Sequence, residues 1–432
     1  MLTQRRSLIA WVLYDCGYSA YSSVIATFVF ATYFTQAVAA DPILGAAQWG
    51  RMQAVAGVAV ALLAVPLGAI ADRGGGRRVL LAAATVILAA AALSLWTVHP
   101  HAGQVPRALV LAGIGAVALE VGTVFYNSML PELAAPGRLG RLSMLAWAAG
   151  YGGGLICLTL CLVGLVLPAN PPFGLSRAMA EPVRACALLA GIWIVAFCWP
   201  LLAFAPKGPS GVGWLVAVRA GLAGLRPVAR DAWSRPVIRR FLLARLLFTD
   251  GIVTLFAFGG IYAAATFGMS PTGVLLFGIG LTLTAGLGAL AAAFIEDRLG
   301  AWTTTFVSVV GLAVLGAAIL LVRNEAAFWV LGLMLGVFVG PSQAASRSLM
   351  ARLAPAEARA AYFGLFALSG RVTAFVGPLS LAAVTQATGS LSAGMAVIVV
   401  LLVAGAAILL TMPRSARAAP APPPVPTTPV AA

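Results

Sequence analysis

Apolar residues in this chain gather into long runs separated by short polar, glycine- and proline-containing breaks. A helix needs about 20 apolar residues to cross the hydrocarbon core. Twelve runs reach that length, at about 8–37, 48–71, 79–98, 107–130, 142–167, 183–205, 241–267, 271–295, 301–322, 327–350, 362–387 and 392–412. An even number of spans puts both termini on one side. The polar start Met1–Ser7 runs into the first apolar stretch without a cleavage pattern, so that stretch is expected to remain as a span.

Composition identifies the solvent. Hydrophobic residues make up 61% of the 432 and charged residues 9%, against about 25% charged in a soluble domain. Mean hydropathy is +1.00. A water-soluble enzyme, a disordered regulator and a coiled coil are excluded. All five cysteines (Cys16, Cys157, Cys161, Cys186, Cys198) sit in apolar runs, so neither a disulfide framework nor a metal site is indicated. No Gly-Lys-Ser/Thr phosphate loop occurs and no cofactor is implied.

The net charge of +15 is a topology signal, not a nucleic-acid footprint. One alternate set of loops holds 20 of the 27 basic residues and the opposite set holds 5, with Arg245 and Arg371 inside spans. The positive-inside rule makes the richer set cytoplasmic, with both termini, where it also grips anionic lipids of the inner leaflet. One Lys against 26 Arg suggests a GC-rich bacterial genome and hence the inner membrane, an inference from codon usage.

The longest internal break divides the spans six and six. The expected organisation is an N-terminal bundle at 1–205, a cytoplasmic linker at 206–240, a C-terminal bundle at 241–412, and a disordered Pro/Ala-rich tail at 413–432. Within the linker, Leu215, Val218, Leu222 and Leu225 alternate with Arg219, Arg226 and Arg230 as in an amphipathic surface helix. The halves also echo each other. Tyr14-Asp15 matches Thr249-Asp250, Asp72-Arg73 matches Asp297-Arg298, and the end of the fourth span at Asn127-Ser128 matches the end of the tenth at Arg347-Ser348. Duplicated halves enclosing a site are a transporter architecture.

Gly68-Ala69-Ile70-Ala71-Asp72-Arg73-Gly74-Gly75-Gly76-Arg77-Arg78, with its shorter copy at Asp297-Arg298, resembles the loop signature of the major facilitator superfamily. Trp11-Val12-Leu13-Tyr14-Asp15, Phe241 through Gly260, Gln343-Ala344-Ala345-Ser346-Arg347-Ser348 and Gly377-Pro378 resemble the autophagy-related vacuolar effluxer family and its bacterial relatives. The chain departs from the family at Tyr18 and Thr249, where Asn is usual. The resemblance implies an all-α fold of twelve spans in two pseudo-symmetric bundles, with the first, fourth, seventh and tenth spans around a central cavity. It also implies efflux of small molecules, amino acids among them.

Charge inside hydrocarbon costs at least about 2.5–3.5 kcal/mol per group at a helix centre, so each survivor needs a reason. Three acids fall within spans: Asp15, Glu120 and Asp250. With Arg371 they are the candidate proton-coupling or substrate groups. Helical spacing adds the expected cavity lining of Tyr14, Tyr18, Ser19, Ser22, Thr123, Tyr126, Asn127, Arg245, Thr254, Gln343 and Arg347. Asp15 and Asp250 each have pairing with a nearby arginine as the competing reading; Asp15 is expected across the seam with the seventh span, Asp250 beside Arg245 or Arg371. Glu120 has no base within a turn of its own helix. Asp72, Arg73, Arg77, Asp297 and Arg298 are expected to form a gating loop network. The function expected is secondary active transport of a small organic solute, amino acid or other zwitterion, as proton-coupled efflux by a monomer. An exporter of amphiphilic or lipid-linked molecules and a non-transporting receptor are the alternatives.

Overall fold

The computed structural model describes residues 2–74, 76–135, 137–205, 214–371 and 374–414. The regular secondary structure of these residues is helical. Six helices build the first half: α1 (Leu2–Ala20), α2 (Pro42–Gly74), α3 (Arg77–Ser94), α4 (Val105–Ser128), α5 (Leu139–Cys161) and α6 (Glu181–Phe204). After α7 (Trp214–Ser234) come α8 (Pro236–Phe267), α9 (Pro271–Ala292), α10 (Ala301–Leu321), α11 (Glu325–Leu353), α12 (Arg359–Ser369), α13 (Val376–Thr388) and α14 (Leu391–Leu410). Local chemistry sets the ends. Ser270 Oγ accepts from Gly273 N (3.1 Å) and Asn324 Oδ1 from Ala327 N (2.7 Å), capping α9 and α11. Gly268 and Gly389, at φ +68° and +66°, stop α8 and α13.

Ten helices are long and apolar enough to cross a membrane among the described residues. The other two expected spans are interrupted. After α1, the chain continues through π-helical turns at Tyr21–Phe28 and Phe34–Val38. The span expected at 362–387 breaks between α12 and α13.

Within the first half, α1 packs on α5 and α6, and α4 on α2 and α3; within the second, α11 packs on α9 and α10, and α14 on α8, α10 and α13. The halves meet mainly where α12 lies on α2 and α9 on α5. The arginine-rich loops gather at one end, called here the basic end. Ser7, the α6 terminus, the α2–α3 and α9–α10 turns, α7 and the start of α12 are linked there by hydrogen bonds.

The linker forms the expected helix, α7, but its buried face is not the leucine stripe. Ala217 and Gly221, one turn apart, lie against Gly74 and Ile70 of α2, while Leu215, Leu222 and Trp233 are exposed. Near its end, Asp231 accepts a hydrogen bond from the Tyr362 hydroxyl of α12, which holds its carboxyl below the usual range. Residues 206–213 of the linker and 415–432 of the tail lie outside the described residues.

Candidate functional site

A cavity of about 400 Å³ lies between the halves, enclosed by α1, its π-helical continuation, α4, α5, α8, α9, α11 and α12. Of the residues expected to line it, Asp15, Tyr18, Ser19, Ser22, Glu120, Thr123, Asn127, Arg245, Gln343, Arg347 and Arg371 do so. Four do not, and in each case a packing partner takes the side chain. Tyr14 is buried, with its hydroxyl 2.9 Å from Thr85 Oγ1. Tyr126 stacks on Trp11 at 4.4 Å between ring centroids, with its hydroxyl within hydrogen-bond reach of either Asp15 Oδ2 (2.9 Å) or Trp11 O (3.0 Å). Thr254 Oγ1 donates to Asp250 O (2.8 Å). Asp250 Oδ2 accepts from Gly377 N (2.9 Å), at the start of α13. Asp250 therefore caps a helix, and the expected partner Arg245 or Arg371 is not its ion pair.

Two ion pairs of the cavity region cross between the halves, and their burial separates them. Asp15 of α1 meets Arg347 of α11 at 3.0 Å, with side chains 3% and 2% exposed. The expected partner on the seventh span is replaced by one on the tenth. Arg347 also donates to Ser143 Oγ (2.9 Å) and Ser143 O (2.5 Å) on α5. Its guanidinium lies 5.0 Å from the Trp11 ring centroid. Glu120 of α4 pairs with Arg371, just beyond α12. That pair is 23% and 39% exposed, facing the cavity. Arg245 is occupied otherwise, giving Nη1 to Phe366 O (2.5 Å) and Ser369 Oγ (2.9 Å) with the Phe366 ring at 3.5 Å.

At the basic end, each half caps a helix of the other. Asp72 accepts from Ala360 N and Ala361 N (3.0 and 2.9 Å) at the start of α12. Asp297 accepts from Gly140 N and Arg141 N (2.9 and 3.2 Å) at the start of α5. Helix N-termini present unpaired N–H groups and a positive dipole end, so an acid is stabilising there. Arg77 forks onto Glu132 (2.8 and 2.5 Å), with Arg359 of the other half 3.8 Å from the same carboxylate. Arg73 and Arg298 are exposed and their side chains make no hydrogen bond or ion pair among the described residues, so of the expected loop network Asp72, Arg77 and Asp297 are engaged.

Against this geometry, a sequence profile of vacuole effluxer Atg22-like proteins matches residues 51–419. The chain belongs to this family. It is 23% identical over 414 residues to the uncharacterized MFS-type transporter YxiO of Bacillus subtilis, covering 94% of both chains. Autophagy-related protein 22 of Cryptococcus neoformans is 26% identical over 284 residues, covering 61% of this chain and 50% of that one, so the match spans about half of this fungal Atg22 protein. The fold is shared with solved major facilitator structures. The proton:xylose symporter XylE superposes with a TM-score of 0.74 at 14% identity, covering 96% of this chain and 97% of that one. The human organic anion transporter MFSD10 gives 0.70 at 15%, covering 94% and 99%. These Atg22-like relatives and structural neighbours are transporters, not enzymes.

Sequence reasoning missed the helix α5 contribution. Ser143, Trp147, Gly150 and Tyr151 form one stripe at helical spacing; Trp147, Gly150 and Tyr151 line the cavity and Ser143 holds Arg347. The signal was a Ser-Trp-Tyr stripe in a glycine-rich run, overlooked because it carries no charge. Ser23, Thr27 and Phe28 were missed for another reason: π-helical turns rotate residues off the 3.6-residue period.

Proposed function

We propose that this protein is a secondary transporter working by alternating access, exporting a small zwitterion such as an amino acid across the inner membrane in exchange for protons. The Glu120–Arg371 pair in the cavity wall carries the reading. A zwitterion brings an ammonium and a carboxylate together, so it can insert between these two side chains and replace one ion pair with two. Net charge in the cavity is unchanged, which avoids the cost of burying an unpaired ion. A proton on Glu120 removes the partner of the solute's ammonium. Proton and solute then compete for one carboxylate, the condition for exchange.

The 1–205 and 241–412 bundles are the bodies that rock. The basic end is the cytoplasmic side, closed here by the Asp72, Asp297 and Arg347 connections. An apolar groove of about 760 Å³ between α2, α3 and α4 is lined by Ala118, Val121 and Phe125, on the face of α4 opposite Glu120 and Thr123.

The test is flux of labelled amino acids in proteoliposomes, with and without an imposed pH gradient. The gradient should drive the wild type. Glu120→Gln, which lacks the carboxylate that proton and ammonium share, should weaken both solute exchange and gradient-driven transport by about 5–150-fold, the range given by coupling energies of ~1–3 kcal/mol. A mutant as gradient-driven as wild type removes Glu120 from the proton path. Absence of any solute flux sinks the transporter reading.

A further inference from the structure

Glu296 has no part in the site described above. It sits in the short helical turn Glu296–Leu299 between α9 and α10, outside the candidate spans, yet it is 0% exposed. It is sandwiched between the halves. The Gly140 Cα at the start of α5 lies so close that a Cβ would stand 2.2 Å from Glu296 Oε2. On the other side, Ser348 of α11 contacts Oε1. Oε2 is buried without a hydrogen-bond partner.

The charges around it are committed elsewhere. From α11, Arg347 is bound to Asp15 (3.0 Å) and Arg352 reaches Asp297 (3.8 Å). From α5, the Arg141 guanidinium stacks over Phe294 at 5.4 Å. On its own turn, Asp297 is a like charge and Arg298 is exposed; α10, which packs on the turn, contributes no charged residue. The hydroxyl of Ser348 can accommodate a protonated carboxyl. Ser348 Oγ lies within hydrogen-bond reach of both Glu296 Oε1 and Ala345 O, the latter at 3.1 Å. A hydroxyl carries one proton and can serve one of those acceptors. If the carboxyl carries a proton, it donates to Ser348 Oγ, Ser348 donates to Ala345 O, and both contacts are satisfied.

We propose that Glu296 is a proton-binding site of the basic-end gate, occupied when the gate is closed and vacated when the halves separate and water reaches the carboxylate. Burial pushes this carboxyl up to about 8 from an ordinary value of 4.5, opposed by Ser348 and Arg352. The sign follows from linkage. The closed state holds the proton more tightly, so closure is favoured in full below about 4.5 and is progressively weakened up to about 8. Inside that window the closed-to-open ratio falls by about tenfold per pH unit, one proton being released on opening. The inference rests on the alternating-access reading, because it requires an open state.

The test is the distance between spin labels at Ala135→Cys and Leu299→Cys, both exposed on opposite halves of this end, in a cysteine-replaced background reconstituted in vesicles. The short-distance population should fall in the wild type as pH rises from 5 to about 8. Glu296→Gln, a neutral isostere of the protonated acid, should stay closed across that range. A wild-type distribution that ignores pH, or a Glu296→Gln variant that keeps the wild-type response, overturns the proposal. If Glu296→Gln does not fold, Glu296→Asp retains a titrating carboxyl and should keep a pH response; a flat profile overturns the proposal equally. No solute is needed for this readout. A gate that titrates in a protein without flux would reject the transport reading and leave Glu296 as assigned. A flux-competent protein whose gate ignores Glu296 would reject this inference alone.

Discussion

Arg347 gives its Nε and both terminal nitrogens to acceptors on α1, α4 and α5, the weakest being Asn127 at 3.4 Å. Removing it leaves Asp15 buried without a cation. Breaking one side of a buried pair costs about 3–5 kcal/mol. Arg347→Gln should therefore lower the melting temperature in detergent sharply, and Asp15→Asn in the same chain should recover part of the loss; a double mutant no more stable than Arg347→Gln would refute the pairing. Glu120–Arg371 is partly exposed, and such pairs contribute at most about 1 kcal/mol, so Glu120→Gln should change flux with little change in melting. The sequence exposed every one of these charges, since each stands out in an apolar run. It did not expose the partners: Asp15 and Arg347 are 332 residues apart, and nothing in a single chain's pattern fixes a register over that separation.

At the scale of an element, the start of α13 is fitted closely against α8. A Cβ on Gly377 would stand 2.1 Å from Thr254 Oγ1 and 3.1 Å from Asp250 Oδ1. Gly377→Ala should push α13 off α8 and remove the Asp250 cap, abolishing flux, and Thr254→Ala should restore part of it by making room. A fully active Gly377→Ala would show that the break tolerates displacement and that Asp250 is dispensable there. The Gly377-Pro378 pair was legible as a place of close packing and bendable backbone. The π-helical turns after α1 were not, because an extra residue per turn leaves no compositional mark. The three matched landmarks predicted the paired loops, and Asp72 and Asp297 do occupy equivalent helix N-termini. That each acid caps the opposite half's helix follows from how the halves face each other, which the repeat alone does not encode.

For the whole molecule, both loop acids, Arg347 and the α7 contact to α12 act at one end, so opening must break them together. Few charges remain mobile during such a motion. Glu120 and Arg371 cancel, and an inserted zwitterion cancels as well, so a solute adds nothing to the current. On the proposed exchange, one proton entering for each zwitterion leaving would make every turnover electrogenic by a single positive charge. A membrane potential of 100 mV, inside negative, then contributes about 2.3 kcal/mol to expulsion even when the pH is equal on both sides. Proteoliposomes clamped with potassium and valinomycin should show voltage-driven solute movement without a pH difference, and flux that ignores voltage would rule out this stoichiometry.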